Sequence, residues 1–146
     1  MTAKYVVACD GSPGSKRALE FAADEASTHG AAILIAFVLE WSPYSFLTPE
    51  ELEERHKRRA EELERAREAV VTPLAESVKD SGVEVDAVIR YGHVAETLVD
   101  IAEQEGARQI FIGRTGHGHR GLAARLFGSV ASTMAETSPV PCTVVP

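Results

Sequence analysis

The chain has 146 residues, 45% hydrophobic and 25% charged, which is the make-up of one globular domain spanning residues 1–146 rather than of a two-domain enzyme or a disordered tail. A net charge of −7 repels polyanions unless the basic residues gather on one face, so nucleic acid is set aside as a partner. No apolar run approaches the roughly 18–20 residues that cross a bilayer, and no basic segment followed by an apolar signal core opens the sequence; a cytosolic location without membrane contact is expected. Cys9 and Cys142 both lie in apolar, strand-like runs, where a thiol behaves as a small buried hydrophobe, and no disulfide or metal framework is visible.

In chain order, residues 5–9 form a short apolar run that ends in the turn cluster Asp10, Gly11, Ser12 and Pro13, which reads as a buried strand followed by a turn. Ser12 is placed to cap a helix with Pro13 in its first turn. Ala18, Leu19, Ala22, Ala23 and Ala26 then recur at helical spacing until His29 and Gly30 supply the stop. Their small side chains suit close packing on a sheet. Residues 31–39 are continuously apolar, as in a strand covered on both faces. The next stretch, with Trp41, Pro43, Tyr44 and Phe46 at no period, reads as an aromatic loop.

Thr48 and Glu51 make a capping box, and the sequence to about Ser81 reads as helical. Its apolar stripe is Leu52, Leu63, Ala66, Val70, Leu74 and Val78, and Pro73 is expected to kink or divide it. Pairs such as Glu51 with Arg55 and Glu61 with Arg65 fit a solvated face, each adding a few tenths of a kcal/mol. Gly82 ends this helix. Residues 83–91 alternate, with Val83, Val85, Ala87 and Ile89 on the core side, as expected of an edge strand. A helix over 92–105 through Val94, Leu98, Ile101 and Ala102, a short strand over 109–112, a glycine-rich loop from Gly113, a helix over 129–137 and a strand over 140–145 complete the chain. The alternation predicts an α/β fold: an open parallel sheet with helices on both faces.

In such a sheet, ligands bind beyond the carboxyl ends of the strands where the strand order reverses. Of the loops at those ends, two carry specialised chemistry. One is Asp10, Gly11 and Ser12, whose carboxylate can accept hydrogen bonds from ribose hydroxyls or a base; its bland reading is an Asx turn opening the first helix. The other is residues 113–129, with five glycines, two histidines and three arginines, leading into a helix at Gly128 and Ser129. Glycines let backbone N–H groups converge on a phosphate. Ser129 with the amides of Val130 and Ala131 would meet an oxyanion at the positive end of that helix, and Arg114, His117, His119 and Arg120 add charge. A flexible surface loop with a glycine helix start is the alternative.

Sharper motifs fail. Gly113 and Gly118 have P-loop spacing, but His119 and Arg120 stand where Lys and Ser or Thr are required. Gly116, Gly118 and Gly121 spell a dinucleotide fingerprint, yet after the fourth strand rather than the first. His117 and His119 have the wrong spacing and strand for a nucleotidyl-transferase element, and as metal ligands they lack a third partner. Cys9 has no basic neighbour in sequence, and no catalytic triad can be assembled, so no catalytic residue is assigned.

The segments VVACDGSPGSKRALEFA, LIAFVLE, YGHVAETLVDIAEQEGARQIFIG and LFGSVASTMAETSPVPCTVV together resemble the universal stress protein family along essentially the whole chain. The resemblance implies a five-stranded parallel sheet of order 3-2-1-4-5, akin to the adenine-nucleotide α-hydrolase fold. It also implies a homodimer through the last strand and, in one branch, ATP at the tips of the first and fourth strands. That branch resembles G-x2-G-x9-G-[ST]. Gly113 and Gly116 match the first pair, but eleven residues separate Gly116 from Gly128, and nine are met only from Gly118. By position, Asp10 would meet the nucleoside, Val38 the adenine through its backbone, Gly113 and Gly116 the ribose and phosphates, and Gly128, Ser129 and Val130 the phosphates. Val94 departs from the proline common there. With that strand order Cys9 and Cys142 lie two strands, about 9 to 10 Å, apart, beyond the roughly 7 Å limit of a disulfide.

The resulting expectation is a cytosolic homodimer that binds ATP, or AMP or ADP, with or without Mg²⁺, and turns it over poorly. Val140, Thr143, Val144 and Val145 are expected to form the dimer strand, with an unidentified protein as downstream partner. An interaction module of the same fold without nucleotide, and a slow ATPase, are the competing readings.

Overall fold

The computed structural model describes residues 2–40, 48–115 and 128–146. Its strands are β1 (Lys4–Cys9), β2 (Ala32–Glu40), β3 (Val85–Gly92), β4 (Gln109–Gly113) and β5 (Cys142–Val145). All are parallel, in the order β3-β2-β1-β4-β5, so the expected α/β sheet of order 3-2-1-4-5 is present. Alternate residues serve opposite cores. Tyr5, Val7, Cys9, Ile33 and Ile35 face one apolar cluster, and Val6, Leu34, Ile110 and Ile112 face the other. Burial on both sides is why β1 and β2 read as continuous apolar runs.

Helix α1 (Pro13–His29) covers the first face. Ser12 Oγ accepts from Ser15 N–H at 3.2 Å, and Gly30 ends the helix in the left-handed conformation at φ 65°. Ala18, Leu19, Ala22, Ala23 and Ala26 are buried, so the small residues bring α1 down onto β1 and β4. Helices α4 (Val94–Gln104) and α5 (Ser129–Thr137) cover the other face through Leu98, Ile101, Ala131 and Met134.

The predicted long helix is broken ahead of its proline. Helix α2 (Pro49–Ala66) starts on the expected Thr48 cap, whose Oγ1 accepts from Glu51 N–H at 3.2 Å. It passes into a π-helical turn, Arg67–Val71, before α3 (Thr72–Ser77) and a 3-10 turn, Lys79–Ser81. The Thr72 N–H donates to Arg67 O, five residues back. Pro73 has no N–H and its ring crowds the carbonyl four residues before it, and the wider turn relieves both.

Leu52, assigned to the apolar stripe, is instead 42% exposed, and of α2 only Ala66 is buried. The apolar contact begins at Ala66, which joins a small core cluster with Phe37 and Val71. A polar tie holds α2 to the edge: Tyr91 OH donates to Glu62 Oε2 at 2.6 Å, and the Arg59 guanidinium lies 5.2 Å from the centre of the Tyr91 ring. Glu54 and Arg58 form an i,i+4 ion pair at 3.1 Å on the solvent side. The aromatic stretch at 41–47 lies outside the described residues.

With β4 between β1 and β5, Cys9 and Cys142 are separate, free thiols. No described helix is long and apolar enough to cross a membrane.

The close seat of α1 gives a direct test. Ala22 is fully buried, so Ala22→Leu must lift the helix or strain its rotamers, and urea unfolding is expected to show a loss of about 1–3 kcal/mol.

Candidate functional site

The strand order reverses at β1: its connection through α1 leads to β2 on one side, and β4 flanks it on the other. At the carboxyl ends of these strands opens a cleft of about 360 Å³, inside the roughly 300–1,000 Å³ range of small-molecule sites. It has two chemically distinct halves. Ala36, Val38, Leu39, Val94, Leu98 and Ile112 give an apolar slot, while Asp10, Ser12, Arg114 and Ser129 supply polar groups.

The β1 side is built from local hydrogen bonds. Asp10 Oδ1 accepts from Ser12 N–H at 2.9 Å, and Ser15 Oγ donates to Ser12 O at 2.9 Å. Asp10 therefore makes the Asx turn and also faces the cleft, where it is exposed. Gly11 supports the bend with φ 82° and is not itself among the residues that line the cleft. Ser12 lines the cleft but is spent as the α1 cap.

The other side is held by Arg114. Its N–H donates to Val145 O at 2.8 Å, and its carbonyl accepts from Gly128 N–H at 2.7 Å. The Gly128 amide, expected among the free donors, is thus consumed in fixing the start of α5. Gly128 still lines the cleft as the extended residue before the helix, with φ −62° and ψ 160°. The amides offered to a ligand are those of Ser129, Val130 and Ala131, in the first turn of a helix where no intrahelical acceptor is available. All three residues line the cleft. The positive end of α5 and the amide donors favour an anion there.

Arg114 also lines the cleft, and its Nε is enclosed with no hydrogen-bond partner among the described residues. An enclosed donor left unpaired costs about 1–3 kcal/mol, and more where the group is charged. Val38 and Gly113 line the cleft as expected; Gly116, His117 and Gly118 lie outside the described residues. Sequence reading did not single out Ser15, Phe37, Glu40 or Thr115, which also line it. The signal available for them was position at or near a strand tip rather than residue type.

A second groove of about 430 Å³ runs between the π-helical turn with α3 and β3. Its walls carry Arg67 and Lys79 but also Glu76 and Asp86, and Lys79 Nζ is paired with Glu76 Oε2 at 3.0 Å. Charge there is balanced within the protein. Among the described residues no helix start with open amides converges on it, so the cleft at the strand tips is the candidate site. Among the described residues no group of three or more His, Cys, Asp or Glu is arranged to hold a metal.

A sequence model of the Universal stress protein family matches residues 1–146. A curated relative from Thermus aquaticus, described as a universal stress protein in the QAH/OAS sulfhydrylase 3′ region, is 33% identical over 141 residues, covering 96% of each chain. Among solved structures, the universal stress protein UspA from Lactobacillus plantarum superposes with a TM-score of 0.84 at 24% identity, over 99% of this chain and 97% of that one. A universal stress protein in complex with cAMP superposes with a TM-score of 0.71 at 22% identity, over 99% and 97% of the two chains. At those identities the structural likeness is one of fold.

Cys9, at the end of β1, is 4% exposed and lines the cleft. Burial first, and then the Asp10 charge, push its thiol from 9.0 up to about 12. A thiol-specific reagent at pH 8 is therefore expected to leave Cys9 unmodified until the protein unfolds. An unfolded chain loses this proton near pH 9, while the folded one keeps it to about 12. Stability should accordingly fall as pH rises through that window, and Cys9→Ala should flatten the fall seen in pH-dependent urea unfolding.

Proposed function

Because the chain belongs to the universal stress protein family, we propose that its cleft binds an adenine nucleotide, with ATP the physiological ligand and AMP and ADP its shorter relatives. The observation that carries this reading is the pairing of an apolar slot with an anion corner in one cleft. The corner joins the Ser129, Val130 and Ala131 amides to Arg114, whose Nε has no hydrogen-bond partner among the described residues. A nucleotide has the same two halves, a flat base and a charged tail. Related structures in complex with cAMP, dAMP and AMP support it by analogy of fold.

In this reading the base lies against Val38, Leu39 and Ile112, with Val38 offering its backbone to the adenine edge. Asp10 accepts from the ribose hydroxyls. The α5 amides and Arg114 hold the phosphates, with the segment from Gly113 close against them. A divalent ion would sit on the phosphates and water rather than in a protein cage, as suits Mg²⁺. With Asp10 Oδ1 committed to the Ser12 N–H, the carboxylate orients hydroxyls rather than activating water, and the site binds more than it hydrolyses. The protein acts as a cytosolic stress-response component whose nucleotide-occupied form is what a partner reads.

The same proposal includes a homodimer through β5. Pro141 and Val145 turn their carbonyls toward β4, where Ile110 and Arg114 donate to them. Cys142 and Val144 therefore turn their backbone groups to the open edge. The opposite edge is less available: Ile33 N–H donates to Glu84 O, so Ala87 faces outward, and its N–H is already taken by Asp86 Oδ1 at 2.8 Å. A carboxylate on an edge amide discourages another strand from pairing. Thr143 is tied inward by Gln109 Nε2 at 2.6 Å, Val145 packs against the α1 side of the core, and Val140 and Val144 are partly buried against the other core. In this proposal the outward backbone groups of β5 therefore make the contact, with the part-exposed sides of Val140 and Val144 beside them.

Calorimetric titration with AMP, ADP and ATP is expected to give dissociation constants below the millimolar range, weakened at least about tenfold by Asp10→Ala, a loss of about 1.4 kcal/mol. Constants far above millimolar for all three would reject nucleotide binding. A phosphate-release rate abolished by Asp10→Ala would instead identify an ATPase. Val144→Pro removes an outward amide without touching the ladder to β4, so sedimentation should show monomers; an unchanged mass would place the interface elsewhere.

A further inference from the structure

Two backbones touch where α1 begins. A Cβ built on Gly14 would lie 2.5 Å from the carbonyl oxygen of Thr115. One built on Gly113 would lie 2.9 Å from the carbonyl carbon and oxygen of Gly14 and 3.3 Å from Ser15 N. The first turn of α1 and the end of β4 thus pack main chain on main chain, with both side chains missing at the contact. Conformation does not demand glycine at position 14, since its φ is not positive and it lies in the first turn of a helix, where alanine is the better former. Space demands it.

A methyl group at position 14 has to move something, and the neighbours are backbone rather than flexible side-chain ends. Helix α1 is fixed by seven buried residues and by the Ser12 cap. The short segment 113–115 is the lighter partner. It carries Arg114, whose carbonyl holds Gly128 N–H and whose Nε has no partner among the described residues, so shifting it shifts both halves of the anion corner.

We propose that Gly14 is a positioning residue, which seats the segment 113–115 at the depth where Arg114 and the start of α5 act together on the ligand's phosphates. This rests on the nucleotide reading of the cleft and adds to it a residue that does not itself line the cleft. Gly14→Ala is expected to keep the far-ultraviolet circular dichroism of the wild type while raising the AMP dissociation constant at least tenfold. Exchange of the Gly128 amide should quicken, because its acceptor moves. Lys16→Ala, on the exposed side of the same helix, should change neither readout.

Wild-type AMP affinity with unchanged Gly128 exchange in Gly14→Ala overturns the proposal. Should that variant not fold, Gly113→Ala presses on the same contact from the other side and is read in the same two ways. Should the wild type bind no AMP, the nucleotide reading falls, and Gly128 exchange alone decides the seat: faster exchange in the variant upholds it, and unchanged exchange overturns it.

Discussion

The hydrogen bond from Gly128 N–H to the Arg114 carbonyl, 2.7 Å long, brings the chain back to the tip of β4 after residues 115–127 and sets where α5 begins. Because the preceding residue's amide is consumed, the free donors of the helix start at Ser129 and open into the cleft. The same arginine donates its own N–H to Val145 O, so one residue joins β5, the start of α5 and the β4 tip. The cleft would still exist without this tie, as a consequence of strand order. Its polar half would have no fixed donors.

Strand order and local chemistry act at different levels of the site. The reversal at β1 is a property of the whole sheet, and it fixes where a ligand can enter. The chemistry offered to an occupant comes from details at the strand tips: an apolar slot from β2, α4 and β4, a carboxylate after β1, and amides with an arginine after β4. The inner end is well enclosed, with Cys9 only 4% exposed. In such surroundings charge-assisted hydrogen bonds count for more than they would in water.

Much of this was legible from local signals. Ser12, Pro13 and Gly30 delimit α1 by capping chemistry that needs no tertiary partner, and the continuous apolar runs of β1 and β2 announce a sheet covered on both sides. Asp10 and Ser129 could be placed in one cleft because strand tips converge once the order is known. What was hidden depends on distant residues. Gly14 looks like an ordinary helix-start glycine until Thr115 is found against it, and Gly128 looks like a free donor until Arg114 accepts from it. Leu52 fits a helical stripe, but its place on the exposed length of α2 leaves it without a surface to bury against. Pro73 signalled a break; that the break would be a π-helical turn beginning six residues earlier reflects how the helix accommodates the proline, which composition does not encode.

The central claim is that one cleft, joining Asp10, Val38, Arg114 and the start of α5, is the ligand site. Amide shift mapping by nuclear magnetic resonance during titration with AMP tests it most directly. Saturable shifts centred on Asp10, Val38, Arg114 and residues 129–131, with Arg67 and Lys79 unmoved, are the predicted result. Shifts confined to the groove beside β3, or none that saturate, would contradict it.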